Sequence, residues 1–217
     1  MKTDQLCVFT IGHSNHPIEK FIDLLRLHRI EALADVRSAP ASRFNPQFNK
    51  KPLADSLKQA GIAYVFLGGE LGARSKDPAT YENGRVHYRK LAATRLFRSG
   101  IERVEQGARK LRIALMCAEK DPLDCHRTLL VGRALERDHV AVTHILADGT
   151  LESQHDAMRR LLKLEPDGVG DMFDAEETLI ELALQTREEQ VAYQDERMVQ
   201  EGTEVVPELE LDVLRRT

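Results

Sequence analysis

Over residues 1–164 short, nearly unbroken apolar runs alternate with amphipathic stretches, the pattern of βαβ units around a largely parallel sheet. Five runs read as strands: residues 6–12, 32–36, 62–67, 113–117 and 140–145. The first, from Leu6 to Gly12, has the continuous apolar character of a strand buried on both faces. Pro17 then opens a helix in which Ile18, Phe21, Ile22 and Leu25 share one face and Glu19, Lys20, Asp23 and Arg26 the other. Turn-type Pro40, Asn45 and Pro46 precede a helix over about 52–60 that stops at Gly61. Residues 68–86 are too long and too Gly-rich for a plain connector, and they predict a loop over a site. A helical pair over 88–110 and helices over 124–137 and about 153–163 complete the pattern. The expected fold is a three-layer, Rossmann-like α/β domain over residues 1–164. It has about five mostly parallel strands and helices on both faces.

Beyond this body, residues 165–170 contain one Pro and two Gly and read as a linker. Residues 175–200 read as one charged helix in an extension that runs to residue 217. Its apolar positions Leu179, Ile180, Leu182, Leu184, Val191 and Met198 thin out along it, so the first half is expected to pack and the second to fray or meet a partner. Residues 202–217 are expected to be loosely ordered.

The formal net charge of −4 conceals a division. Residues 165–217 carry 16 acidic and 4 basic side chains, which leaves 19 acidic and 27 basic in the body, so a tail of −12 follows a body of +8. A basic body suits an anionic partner, a small phosphate ester, nucleotide or nucleic acid, although lysines and arginines that only confer solubility give the same balance. No run approaches the roughly 18 apolar residues of a spanning helix, and the first five residues form no signal-peptide core, so no membrane association and a cytoplasmic location are expected. Cys7, Cys117 and Cys125 are too few for a disulfide scaffold, and in a reducing compartment they stay thiols or metal ligands. Aromatics are 5% with no Trp, which argues against a stacking platform for single-stranded nucleic acid.

In an open parallel sheet ligands bind at the carboxyl ends of the strands, and here those ends are polar. Gly12-His13-Ser14-Asn15-His16 follows the first run; Asp35, Arg37, Ser38 and Arg43 the second; Gly68, Gly69, Glu70 and Gly72 the third. Cys117, Glu119, Cys125, His126 and Arg127 follow the fourth, and His144 and Asp148 the fifth. A strand-loop-helix crossover would set Cys117 at a strand tip and Cys125, His126 and Arg127 in a first helical turn. Free N–H groups there attract anions and lower a thiol pKa. Cys125 or Cys117 is then a candidate nucleophile and His126 its acid or base, against the plain reading of Cys117 as an inert core residue. Leu123 stands where a cysteine phosphatase needs Arg, so that mechanism is disfavoured. Cys117, Cys125, His126 and His13 form a candidate metal set, but the seven-residue gap between the cysteines matches no standard zinc spacing. Asp35 and Arg37 make either a structural ion pair or, with Arg43, a proton-handling and oxyanion-clamping set. The single glycine of the Gly12 segment and the absence of a Walker sequence disfavour NAD and P-loop chemistry.

Taken together, residues 10–14, 35–46, Tyr64, residues 67–72, Cys117-Ala118-Glu119, Pro122 and Cys125-His126-Arg127 resemble, over about residues 6–147, the family known as domain of unknown function 488. The resemblance implies a compact α/β domain with motif residues at His13, Ser14, Asp35, Arg37, Ser42, Arg43, Gly69, Glu70, Cys117, Glu119, Cys125, His126 and Arg127. It implies no reaction and no cofactor.

The residues themselves point to a small enzyme, a hydrolase or transferase, that binds an anionic, nucleotide-like or nucleic-acid substrate at the strand ends. Asp35, Cys117, Glu119, Cys125 and His126 would do the chemistry. Arg37, Arg43 and Arg127 would hold the anion, with His13, Ser14, Ser42, Gly69 and Glu70 shaping the pocket. The alternative is a non-catalytic nucleotide- or metal-sensing module whose acidic tail folds over the basic body. A purely structural protein would leave the polar strand ends without a purpose. Metal, cofactor and oligomeric state stay open at this level.

Overall fold

The computed structural model describes residues 5–165 and 175–197. In chain order it contains β1 (Cys7–Gly12), α1 (Ile18–Leu27), β2 (Ala32–Asp35), α2 (Lys50–Gln59), β3 (Ala63–Phe66), the short α3 (Gly68–Leu71) and the strands β4 (Tyr81–Glu82) and β5 (Arg85–Val86). There follow α4 (Tyr88–Ala93), α5 (Arg95–Ala108), β6 (Ile113–Cys117), α6 (Arg133–Arg137), β7 (Ala141–Ile145), β8 (Leu151–Ser153), α7 (Gln154–Leu164) and α8 (Glu176–Val191). Six strands form one sheet in the order β3-β2-β6-β1-β7-β8. The five anticipated strands pair in parallel, and β8 adds an antiparallel edge to β7. Strand β6, which ends in Cys117, lies between β2 and β1.

Successive side chains of a strand point to opposite faces, and this parity divides the interior. Phe9, Ile11, Leu33, Ala114 and Met116 pack with Phe21 and Leu25 of α1 and Leu53 and Leu57 of α2. Val8, Ala34, Leu115 and Cys117 face the other way, against Phe97 and Ile101 of α5, Leu135 of α6, Leu161 of α7 and Ile180 and Leu184 of α8. Helices thus cover both faces of a mixed but mostly parallel sheet.

Three expectations are corrected. Residues 68–86 are not simply loop, because they hold α3 and the β4–β5 hairpin. The stretch 124–137 is not one α-helix: a 3-10 turn (Pro122–Asp124) leads to a π-helix (Arg127–Gly132) before α6. The widened turn accompanies a close approach by α7, since Gln154 Nε2 donates to Thr128 O (3.2 Å) and a Cβ at Gly132 would sit 2.6 Å from Gln154 Oε1. Finally, the tail helix ends at Val191 rather than near residue 200. The chain then runs extended beside the hairpin, with Val86 N donating to Tyr193 O (3.0 Å) and Asp195 N to Gly84 O (2.8 Å). The first half of α8 does pack, through Ile180, Ala183 and Leu184. The linker from residue 166 on, Met198 and residues 202–217 lie outside the described residues. Among the described residues no helix is long and apolar enough to cross a membrane.

Candidate functional site

The end of β6 organises the site. Gly12 lies opposite Cys117 in the β1–β6 register. The ladder continues past both strands, with His13 N donating to Cys117 O and Ser14 N to Ala118 O, each at 2.9 Å. Here the residues after Cys117 cross over the tip of β1. A Cβ on Gly12 would stand 1.9 Å from the Glu119 carbonyl oxygen, so only glycine admits this crossing. Arg127 holds the same segment from beneath: fully buried, it donates to Glu119 O (2.8 Å) and Lys120 O (3.2 Å). Gly12→Ala is therefore expected to displace Glu119 and to destabilise the fold by about 1–3 kcal/mol, measured by denaturant unfolding.

Across the short loop, Cys125 and His126 return to Cys117. His126 Nε2 donates to Val36 O (3.0 Å), which leaves the Nδ1 lone pair of the neutral ring directed at both thiols. Nδ1 lies 3.6 Å from Cys117 Sγ and 3.8 Å from Cys125 Sγ, and the three atoms lie within 4.8 Å of one another. Cys125 Sγ donates to Glu119 Oε2 (3.0 Å) and accepts from Arg127 N (3.4 Å). The Cys125 backbone N–H is bonded to Pro122 O (3.2 Å), so it is not the free helix-terminal donor expected from sequence.

Burial raises the Cys117 thiol well above its ordinary value, and Cys125 beside it adds to the rise. Burial would raise Cys125 as well, but the hydrogen bond from Cys117 and the positive charges of Arg127 and His126 reverse the sign and hold it well below. Burial and Cys125 raise Glu119. His126 is raised despite its burial, because Cys125 and Glu119 favour the imidazolium. These shifts favour negative charge on Cys125 and positive charge on His126. The distances also suit a cation: sulfur at about 2.3 Å and nitrogen at about 2.0–2.1 Å from a tetrahedral ion give S···N edges of about 3.6 Å and S···S edges of about 3.8 Å. Such a trio leaves a fourth position open, with Glu119 beside it.

The cluster floors a cavity of about 220 Å³. Arg37, Ser38, Ala39, Ala73, Arg74, Tyr88, Ala118, Glu119, Asp124, Val191 and Tyr193 complete its lining. Tyr88, Arg74, Val191 and Tyr193 had no signal in the sequence, because each reaches the cavity through long-range packing. Tyr88 heads α4 beneath Glu188, which accepts from its backbone N–H (2.5 Å); burial and the neighbouring Cys125 push its phenol up.

Asp35 stands apart from the cluster, although its partner Arg37 also lines the cavity. Asp35 has the parity of Leu33 and so lies on the α1–α2 face, opposite to Cys117. It is fully buried and accepts from Arg37 Nε (2.9 Å), Arg37 Nη2 (2.7 Å) and Tyr64 Oη (2.9 Å). Arg37 also donates to Phe48 O (2.7 Å) and His13 Nε2 (3.1 Å). His13 stacks on Phe48 and donates from Nδ1 to Ser14 O (2.7 Å). This is the structural ion-pair arrangement of Asp35 and Arg37, extended by two aromatic partners. Arg127 binds carbonyls rather than facing the cavity. Ser42 Oγ caps a turn by accepting from Phe44 N and Asn45 N, Arg43 lies over Phe44, and Glu70 pairs with Arg103. Gly69 has open space around its Cα, whereas Gly68 beside it is pressed to the Arg37 carbonyl, where a Cβ would lie 1.9 Å away. His144 is buried against Thr10, and Asp148 turns onto Thr150.

Two buried histidines lower stability towards acid pH. Burial lowers His13 from 6.5 to about 4 and His144 from 6.5 to about 3. Both stay neutral in the fold while the unfolded chain takes up protons below 6.5, so stability falls as pH drops from 6.5 towards 4 and continues to fall towards 3. His144→Gln is expected to flatten that slope in denaturant titrations across pH.

An α/β domain with a buried thiol–imidazole cluster at the carboxyl edge of its sheet is thus defined. The family model of Domain of unknown function DUF488 matches residues 17–134, more than half of the chain, and the protein belongs to that family. The matched span contains Cys117, Cys125 and His126 but neither His13 nor α8. No curated protein and no solved structure matches the chain.

Proposed function

We propose that the protein is a metal-dependent hydrolytic enzyme for a small anionic substrate, with Cys117, Cys125 and His126 holding a zinc-class cation. The observation that carries this reading is the spacing of the three donor atoms: nitrogen lies 3.6 and 3.8 Å from the two sulfurs, near the S···N edge of about 3.6 Å of a tetrahedral site, and all three lie within 4.8 Å of one another. Two thiolates and an imidazole select a soft or borderline cation. His126 has the outer-sphere partner such ligands take, since its remote N–H is fixed on Val36 O. A cation held there supplies a polarised water at neutral pH.

Glu119 lies next to the open position, and its raised pKa suits a carboxyl that takes a proton from that water and returns it to the leaving group. The cavity above is small and carries Arg74 at its rim. The reading fits a reducing, cytoplasmic setting, where the thiols stay available to metal. The test compares zinc-loaded protein, chelated protein and Glu119→Gln on a panel of small phosphate esters and carboxylic amides. Turnover by the loaded wild type alone is expected. Equal turnover after chelation overturns the metal assignment and leaves the Cys125 thiolate as the reacting group.

A further inference from the structure

Among the described residues, the charged side chains around the cavity have bonded partners, with Arg74 the exception. Arg37 is bonded to Asp35, Asp124 to Arg187, and Glu119 to Cys125. Arg74 is exposed, and among the described residues no carboxylate pairs with it. It is nevertheless held in place. Its backbone N–H donates to Ser38 Oγ (2.9 Å), and its guanidinium lies 4.7 Å from the centre of the Tyr193 ring. Tyr193 is fixed in turn by the bond from Val86 N to its carbonyl (3.0 Å). Tyr193 and Val191 belong to the C-terminal extension, outside the family-matched span, yet they form a wall of the cavity. The remaining wall is mixed, with Ala39, Ala73 and Tyr88 providing its apolar and aromatic part beside Arg37, Ser38 and Asp124.

We propose that Arg74 and Tyr193 are the substrate-selecting pair, taking an organic anion with a short apolar body whose anionic group sits on Arg74. This rests on the reading of the cavity as the substrate site. A guanidinium stacked on an aromatic ring keeps its N–H edge free, and that edge suits a carboxylate or phosphoryl group. A cavity of about 220 Å³ suits a compact ligand with a single ring. The C-terminal extension therefore contributes a specificity element and not only a covering helix.

The test uses the full chain and a non-hydrolysable probe, phenylphosphonate, with inorganic phosphate and benzyl alcohol as comparisons. Binding is followed by calorimetry on zinc-loaded and chelated protein. Wild type is expected to bind phenylphosphonate more tightly than either comparison. Arg74→Gln should weaken binding about 10-fold and Tyr193→Ala about 5-fold, while Tyr193→Phe, which keeps the ring, stays within about 2-fold. Bound metal should be the same in all variants. Binding by the chelated protein with the same dependence on Arg74 upholds the pair even where the metal reading fails. Equal affinity across the variants, no binding by wild type, or inorganic phosphate binding as tightly as phenylphosphonate overturns it.

Discussion

Replacing either thiol of the cluster is expected to lower zinc affinity by at least about 100-fold. The loss should exceed the 10–100-fold typical of removing an outer-sphere partner, because a ligand itself disappears. Cys117→Ser and Cys125→Ser each leave one thiolate and one imidazole, too few to hold the ion against competing chelators. Cys7→Ser is the control. Its sulfur lies at the opposite end of β1, 3.9 Å from Thr143 Oγ1, and its removal should leave zinc stoichiometry unchanged. Glu119→Gln should also keep the metal, since Glu119 lies outside the ligand trio, while turnover falls. Binding converts a thiol raised by burial at Cys117 into a bound thiolate, so zinc uptake should release protons and weaken as pH falls. Competition titrations with a chromophoric chelator measure all of these affinities.

The second large effect falls on stability. Asp35→Ala removes the carboxylate that faces Arg37 and Tyr64 in a fully buried position, and it leaves a guanidinium charge 6% exposed with no counter-ion. Breaking such a pair by removing one partner costs about 3–5 kcal/mol, which for a chain of this size lowers Tm by roughly 10 °C. Arg37→Met in the same background should recover part of the loss, because the uncompensated charge goes with it. At temperatures where the single variant is folded, its zinc content should equal that of wild type. Asp35 lies on the other face of the sheet from Cys117 while Arg37 also lines the cavity, so unchanged zinc content beside a lowered Tm assigns Asp35 to folding rather than to the metal cluster. Thermal unfolding and metal analysis of the same samples check it.

Much of the architecture was legible because its signals are local. The five parallel strands come from continuous apolar runs, and Gly61, at φ +76°, ends α2 where the turn chemistry places it. Strand β8 and the β4–β5 hairpin were not legible, being two or three residues long and stabilised by partners far along the chain. The site was half legible. Polar residues after each strand marked the right edge of the sheet, but the edge has two faces. Asp35 and Cys117 stand at neighbouring strand ends and point apart, a separation set by parity along β2 and β6 that apolar runs buried on both faces conceal. The seven-residue gap between Cys117 and Cys125 resembled no zinc motif because the return is made by a strand tip and a 3-10 turn rather than a knuckle. Tyr193 could not be found from sequence at all, since its place depends on how the segment after α8 lies along the hairpin.

The central claim is that Cys117, Cys125 and His126 bind one cation together, and X-ray absorption at the zinc edge of the loaded, full-length protein tests it most directly. The expected first shell has two sulfur scatterers at about 2.3 Å and two nitrogen or oxygen scatterers at about 2.0–2.1 Å, one with the outer-shell signature of imidazole. A first shell of oxygen and nitrogen alone, or zinc that washes away without altering thiol reactivity, would contradict it.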